Sequence, residues 1–220
     1  MPDIESIRIE LKKTGKYMME YGLAWGNAGN ISARTNEDRY LITASGTFLG
    51  ELENSDIVEC LLLGQSLEQG GKKPSKETPM HRAIYENRPD IGAVLHASPF
   101  YSTLVSCSSI EIPSNWFVET MYYLEKVERV NYHHPGSTAL GDAVAEKAKA
   151  ANILLLENHG VLVYDVSIRE ARMALQTLEM ACKMLIVSQT GKVNMNGLPR
   201  ETEMDFLEKA GYKSRRNWNL

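Results

Sequence analysis

The strongest constraint on the fold of this 220-residue chain is the alternation of short apolar runs with longer segments of helical periodicity. Each apolar run spans about four to eight residues, a length typical of β-strands. The predicted strands are 31–34, 40–43, 56–63, 92–96, 128–132, 153–156 and 161–164. Helical segments do not recur after every strand, so strict βαβ units are absent. The pattern therefore predicts a mixed sheet covered by helices.

Helices are predicted where apolar residues recur every three or four positions and where capping residues flank them. Ile4, Ile7 and Leu11 begin such a stripe, which ends at Gly22, and Ser167 is a suitable N-cap for a long helix. The predicted helices are 4–21, 78–87, 99–106, 140–151, 168–189 and 201–209, with 113–127 left open between loop and helix and 64–74 predicted as a polar loop. No repeat or linker divides the chain, so we expect a single domain over residues 1–220.

Composition excludes several classes of protein. The net charge of −4 gives no sign of a nucleic-acid surface. No apolar run approaches the roughly 20 residues of a membrane helix, and the N-terminus lacks the apolar core of a signal peptide. The 3 cysteines are far apart and form no CxxC pair, which excludes a disulfide framework and a cysteine-rich zinc module. We expect a cytoplasmic protein without nucleic-acid or membrane partners.

A metal site in this chain would have to use its 5 histidines and its carboxylates. His96 closes a predicted strand and His159 lies in a turn between two strands, so both are at strand ends. Glu77 begins a predicted helix. Two imidazoles and one carboxylate could hold zinc or another divalent ion. The alternatives are histidines with structural hydrogen bonds and a carboxylate that complements a helix dipole.

The other histidines are better explained structurally. His133 and His134 are adjacent in or near a predicted strand, where neighbouring side chains point to opposite faces and cannot easily share one metal. One is expected to be packed and the other exposed. His81 lies within a predicted helix and is likewise assigned a structural role.

Two glycine-containing turns are candidates for anion binding. Gly26-Asn-Ala-Gly-Asn-Ile-Ser32 and Ser45-Gly46 could turn backbone N–H groups and polar side chains toward a phosphate. Neither matches a P-loop or a dinucleotide-binding fingerprint, so a pair of ordinary turns is the alternative. Glu77, in the run Pro74-Ser-Lys-Glu77, could serve as a general acid and base.

Five motifs in this order resemble the class II aldolase/adducin family, nearest to its fuculose-phosphate aldolase-like branch, and the resemblance runs from about residue 4 to residue 212. They are Gly29-Asn-Ile-Ser32, Thr43-Ala-Ser-Gly46, Pro74-Ser-Lys-Glu77, Arg88-Pro-Asp-Ile-Gly-Ala-Val-Leu-His96 and Glu157-Asn-His-Gly160. The resemblance implies a three-layer α/β/α sandwich around a central mixed, mainly antiparallel sheet. It also implies a homotetramer with active sites between subunits.

The resemblance assigns roles to individual residues. Glu77 matches the acid/base glutamate, and His96 and His159 match two of three metal-binding histidines. Tyr212 matches a C-terminal tyrosine that acts in the site of a neighbouring subunit. The positions that match phosphate-binding ones are Asn27, Gly29, Asn30, Ser45, Gly46 and Ser75. The expected cofactor is a divalent metal, zinc first, with manganese or cobalt as alternatives.

The sequence departs from the family pattern at two positions. The motif His-x-His reads His96-Ala-Ser98, so the third histidine is replaced by a serine, a poor zinc ligand. Phe117 stands where fuculose-phosphate aldolases have a tyrosine. Either the metal is held by His96, His159 and Glu77, or metal affinity is lost and the protein is an adducin-like binding or scaffold protein.

The function expected from the resemblance is a metal-dependent aldolase that cleaves a small phosphorylated ketose through a stabilised enediolate. Glu77 would transfer the proton. An epimerase or a decarboxylase of a sugar or sugar-acid phosphate remains open, since the same constellation serves those reactions. A Schiff-base aldolase is a third alternative, with Lys76 as its candidate lysine if that side chain is desolvated.

Overall fold

A computed structural model describes residues 3–63, 71–216 and 218, and this part of the chain contains seven strands and seven α-helices. The strands are β1 (Asn30–Arg34), β2 (Arg39–Thr43), β3 (Ile57–Leu61), β4 (Ala93–Ala97), β5 (Val127–Val130), β6 (Ile153–Leu156) and β7 (Gly160–Asp165). The helices are α1 (Ile4–Glu20), α2 (Thr78–Asn87), α3 (Phe100–Ser106), α4 (Val118–Tyr123), α5 (Thr138–Ala148), α6 (Ile168–Gly191) and α7 (Arg200–Lys209).

The strands form a single sheet in the order β3-β2-β1-β4-β7-β6-β5. Every neighbouring pair is antiparallel except β5 and β6, which run parallel. The predicted mixed, mainly antiparallel sheet is therefore confirmed.

Helices cover both faces of the sheet because side chains alternate between the faces along each strand. Val94 packs in a core with residues of α2 and α5, whereas Leu95 packs on the opposite face with residues of α1 and α6. The two cores together bury most of the large apolar side chains. This arrangement is the three-layer α/β/α sandwich that the resemblance implied.

The register of the central strands brings distant segments to one edge of the sheet. His96, near the end of β4, pairs with Asn30 at the start of β1, and Ala97 pairs with Val161 near the start of β7. The turn that holds His159 joins β6 to β7 at this same edge. The segment before α2 also passes this edge of the sheet, at the end of β2. There the Ser75 N–H donates to the Thr43 carbonyl oxygen at 3.1 Å.

The last described residues return to the body of the same chain. Tyr212 packs against Tyr122 and Phe206, with ring centroids 5.9 and 5.4 Å apart. Arg216 forms a buried ion pair with Asp165 at the end of β7. Aromatic packing and a charge pair therefore hold Tyr212 and Arg216 against the rest of the fold.

The sequence and the structure differ in a few local features. The undecided segment 113–127 contains α4, and β5 ends at Val130, so His133 and His134 lie in the loop after that strand. His134 is exposed and His133 is half-buried. The predicted loop at 64–74 lies in part, at 64–70, outside the described residues. None of the helices in the described ranges is both long and apolar enough to cross a bilayer.

The close approach of β4 and β7 predicts a cost for any side chain at Gly92. A Cβ there would lie 2.3 Å from the Val166 carbonyl oxygen, so the backbone would have to shift. We expect Gly92→Ala to lower the free energy of unfolding by about 1–3 kcal/mol. Gly50→Ala is the control, because its Cβ would meet only the flexible Met19 side chain at 3.4 Å. Urea unfolding of both variants measures the difference, and equal stability would contradict the prediction.

Candidate functional site

A cavity of about 330 Å³ opens at the edge where β1, β4 and β7 meet. It brings together the predicted metal-binding group Glu77, His96 and His159 with the predicted phosphate-binding positions. Those positions are Asn27, Gly29, Asn30, Ser45, Gly46 and Ser75, and all of them line the cavity. Residues far apart in the chain therefore share one site.

Glu77 lies immediately before α2, but its side chain does not cap that helix. Instead, its carboxylate points between two imidazoles. Oε2 lies 3.3 Å from Nε2 of His96, and Oε1 lies 3.2 Å from Nε2 of His159. Charge complementation of the helix, the structural alternative for Glu77, is therefore not its main interaction.

The protonation of His96 follows from its hydrogen bond. Its Nδ1 lies 3.0 Å from the Val161 carbonyl oxygen, which can only accept, so Nδ1 carries the proton. Burial lowers the pKa of His96 and favours the neutral ring. Its Nε2 then presents a lone pair to the carboxylate of Glu77. Two acceptors this close require a shared proton or a cation between them.

Glu77 supplies the negative charge that a cation needs. Burial raises the pKa of Glu77, but a proton shared with the imidazoles of His96 and His159 and the hydrogen bond from Asn30 favour the carboxylate and lower the pKa. Oε1 of Glu77 is buried with no hydrogen-bond partner among the described residues. One ligand atom each from Glu77, His96 and His159 lies within 4.8 Å of the others. The donor set and its geometry fit a divalent cation.

The two glycine-containing turns line the same cavity as the predicted metal-binding residues Glu77, His96 and His159. Gly29 has a φ of +92°, and a Cβ there would lie 2.9 Å from the His96 carbonyl oxygen, so this position requires glycine. The Ser45 N–H donates to the Lys73 carbonyl at 2.9 Å, which ties the second turn to the segment before α2. Backbone contacts thus fix both turns beside Glu77.

Sequence reasoning did not place Trp25 in this site. Its Nε1–H donates to the Ser98 carbonyl oxygen at 3.0 Å, and its exposed ring forms one wall of the cavity. Trp25 directly precedes the first glycine-containing turn, which is the signal that could have included it. Lys76 also lines the cavity, but its side chain is exposed and lacks the desolvation that a Schiff-base lysine needs.

The cavity lining described by the structure does not include Tyr212 or Phe117. Tyr212 packs in the C-terminal cluster of its own chain, and Phe117 precedes α4. Ser98 does line the cavity, with its hydroxyl 3.4 Å from the His159 carbonyl oxygen. Where the resemblance predicts a third histidine, the structure thus places a small hydroxyl at the edge of the site.

A family model described as Class II Aldolase and Adducin N-terminal domain matches residues 9–186. The chain belongs to this family. It is 32% identical to a 3-oxo-tetronate 4-phosphate decarboxylase of Haemophilus influenzae, over 90% of this chain and 93% of that protein. It is 31% identical to an L-fuculose phosphate aldolase of Methanocaldococcus jannaschii, over 74% of this chain and 86% of that protein.

A solved structure supports the same relationship. An L-fuculose 1-phosphate aldolase superimposes with a TM-score of 0.82 at 28% identity, covering 96% of this chain and 98% of that one. The protein is thus an enzyme of the class II aldolase superfamily, and its relatives include both decarboxylases and aldolases.

The geometry of Glu77, His96 and His159 predicts metal binding. Protein purified without a chelating tag is expected to hold about one divalent ion per chain. His96→Ala and His159→Ala should each weaken binding by more than about 100-fold, because losing a direct ligand exceeds the effect of a supporting residue. Ser98→His should tighten binding. Elemental analysis and titration with Zn²⁺, Mn²⁺ and Co²⁺ measure this.

The control is His134→Ala, which removes an exposed imidazole that does not line the cavity and should leave binding unchanged. A wild-type protein that takes up none of the three ions would contradict the metal site.

Proposed function

We propose that the protein is a metal-dependent lyase that breaks a carbon–carbon bond in a small phosphorylated 3-oxo acid or ketose. The proposal rests mainly on the position of the Glu77 carboxylate between the imidazoles of His96 and His159. The same cavity is lined by the two glycine-containing turns, which also contribute serine and asparagine side chains. Decarboxylation of a 3-oxo acid phosphate is the first candidate, because the decarboxylase relative aligns over 90% of the chain. Aldol cleavage of a phosphorylated ketose is the second, supported by the aldolase relative.

The substrate phosphate is proposed to bind between the two glycine-containing turns. Asn27, Ser45 and Ser75 offer polar side chains, and Gly29 and Gly46 let a phosphate approach the backbone closely. The backbone N–H groups of Ser45 and Ser75 donate within the protein, so these two residues would bind the phosphate through their hydroxyls. Lys76 is the one lysine or arginine among the described residues of the lining, and its ammonium group would add a positive charge. The turns would thereby position the substrate relative to Glu77.

The proposed cofactor is a divalent metal, with zinc first and manganese or cobalt as alternatives, held by Glu77, His96 and His159. When bound, it would supply Lewis-acid stabilisation of negative charge on the substrate carbonyl oxygen. The hydroxyl of Ser98 is a weaker ligand than the imidazole it replaces. The site thus relies on Glu77 more than a three-histidine site would.

Glu77 is proposed to carry the proton. In the decarboxylation, the bond between the carboxylate carbon and its neighbour breaks, CO₂ leaves, and the electron pair remains on the neighbouring carbon as an enolate. That carbon then takes one proton, which the Glu77 carboxyl group delivers after receiving it from water. In the aldol cleavage, the Glu77 carboxylate would accept the proton of the hydroxyl group whose carbon leaves as an aldehyde. The bond between that carbon and its neighbour breaks, the electron pair remains as an enolate, and Glu77 would return the proton to the enolate carbon.

The proposal includes a homotetramer with sites between subunits. Tyr212 of one chain would then have to act in the site of another, because in its own chain it packs against Tyr122 and Phe206. This assignment follows from the resemblance and is separate from the roles of Glu77, His96 and His159.

The proposed reaction class predicts turnover of phosphorylated substrates only. Metal-reconstituted protein is offered 3-oxo-tetronate 4-phosphate and a panel of ketose 1-phosphates, and CO₂ and aldehyde release are measured separately. We expect CO₂ release from the 3-oxo acid phosphate, and at least about 100-fold lower kcat/KM for its dephosphorylated form. Aldehyde release without CO₂ would favour the second candidate. No turnover of any of these compounds would contradict the proposed lyase activity.

The assigned role of Glu77 predicts the effect of its removal. Glu77→Gln keeps the shape of the side chain but removes its charge and its ability to take up and release a proton, so kcat should fall by about 10²–10⁴-fold. Substrate affinity should change little, because the phosphate is bound by other residues. Glu86→Gln, at an exposed position of the same helix, is the matched control. Metal content is measured in both variants, and unchanged turnover in Glu77→Gln would remove Glu77 from the mechanism.

A further inference from the structure

A chain of buried polar side chains leads away from Glu77 into the protein. Asn30 Nδ2 donates to Glu77 Oε2 at 2.7 Å, and Asn30 Oδ1 lies 2.5 Å from His81 Nε2. His81 Nδ1 lies 2.7 Å from the Ser32 hydroxyl, which lies 2.8 Å from the Tyr85 hydroxyl. His81 has no exposed surface. Of the residues that continue this series of hydrogen bonds from Glu77, only Asn30 lines the cavity.

The charge of Glu77 fixes the direction of every hydrogen bond in this chain. A carboxylate only accepts, so the Asn30 amide must present its NH₂ group to Glu77 and its carbonyl oxygen to His81. Nε2 of His81 must therefore carry a proton. Burial lowers the pKa of His81 to about 3, so the ring is neutral and Nδ1 accepts from the Ser32 hydroxyl. The Tyr85 hydroxyl then donates to Ser32.

The orientation of the Asn30 amide depends on its hydrogen bond with His81. Without a donor at His81, the amide could rotate and present its oxygen to the carboxylate, where two acceptors would repel each other. Glu77 directly precedes α2 and His81 lies in the first turn of that helix, and both side chains contact Asn30 at the start of β1. The helix thus holds the carboxylate and the residue that orients its hydrogen-bond donor.

We propose that His81 is a positioning residue that acts through Asn30 and holds the Glu77 carboxylate in the orientation that proton transfer requires. This inference rests on the proposed function for the role of Glu77. His81 does not touch the substrate cavity. Its effect should therefore appear in the rate of the chemical step rather than in substrate affinity.

The test compares two replacements of His81. His81→Leu removes both ring nitrogens and should lower kcat by about 10–100-fold with KM within about threefold. His81→Gln retains a donor for Asn30 and an acceptor for Ser32 and should stay within about fivefold of wild type. Equal impairment of the two variants, or a loss confined to KM, would overturn the proposal.

A double-mutant cycle tests whether His81 acts through Asn30. If it does, His81→Leu combined with Asn30→Ala should be no slower than Asn30→Ala alone, because the intermediary is already absent. Losses that multiply would show that His81 acts by another route and would overturn the proposal. Thermal unfolding of each variant separates loss of rate from loss of folded protein.

A third measurement needs neither substrate nor variant. Long-range ¹H–¹⁵N NMR of the wild-type protein at pH 7, before and after addition of Zn²⁺, reports which nitrogen of His81 carries the proton. We expect the neutral ring protonated at Nε2 in both samples. A ring protonated at Nδ1, or at both nitrogens, would overturn the proposal. Failure of the lyase assays with this tautomer present would instead count against the proposed function alone.

Discussion

The antiparallel pairing of β4 with β1 and β7 is the constraint on which the site depends. Because these strands run in opposite directions, the end of β4 meets the starts of both neighbours, and His96 comes to lie opposite Asn30. A slip of one residue would turn His96 to the other face of the sheet. The buried apolar side chains on both faces of β4 prevent that slip, so packing of the core fixes the position of a functional side chain.

The electrostatics of the site follow from burial and from hydrogen bonds made outside it. Val161 fixes the proton of His96 on Nδ1, and Asn30 donates to Glu77. Each of these contacts comes from a strand that is held by the sheet. The result is an anion facing a neutral ring nitrogen in a partly enclosed space, which is a suitable environment for a divalent cation. The neighbouring turns add hydrogen-bond donors, which suit a phosphorylated substrate.

Sequence and structure contribute differently to the functional assignment. The ordered motifs indicated the family, and the family match confirmed it. They could not distinguish aldol cleavage from decarboxylation, because both reactions pass through an enolate and use the same acid/base group. The choice between the two reactions rests on similarity to relatives and on how the substrate is recognised. The group of Glu77, His96 and His159 would serve both reactions and therefore does not distinguish them.

The sequence by itself determined the strands and helices of the core, the mixed sheet and the residues Glu77, His96 and His159 as a candidate group. It could do so because side-chain periodicity and local turn chemistry are properties of short segments. Only the tertiary structure decided that these residues meet, that the Glu77 side chain turns away from its helix, and that His81 connects to it through Asn30. These relations depend on strand register and on the packing of α2 against the sheet, which join segments far apart in the chain.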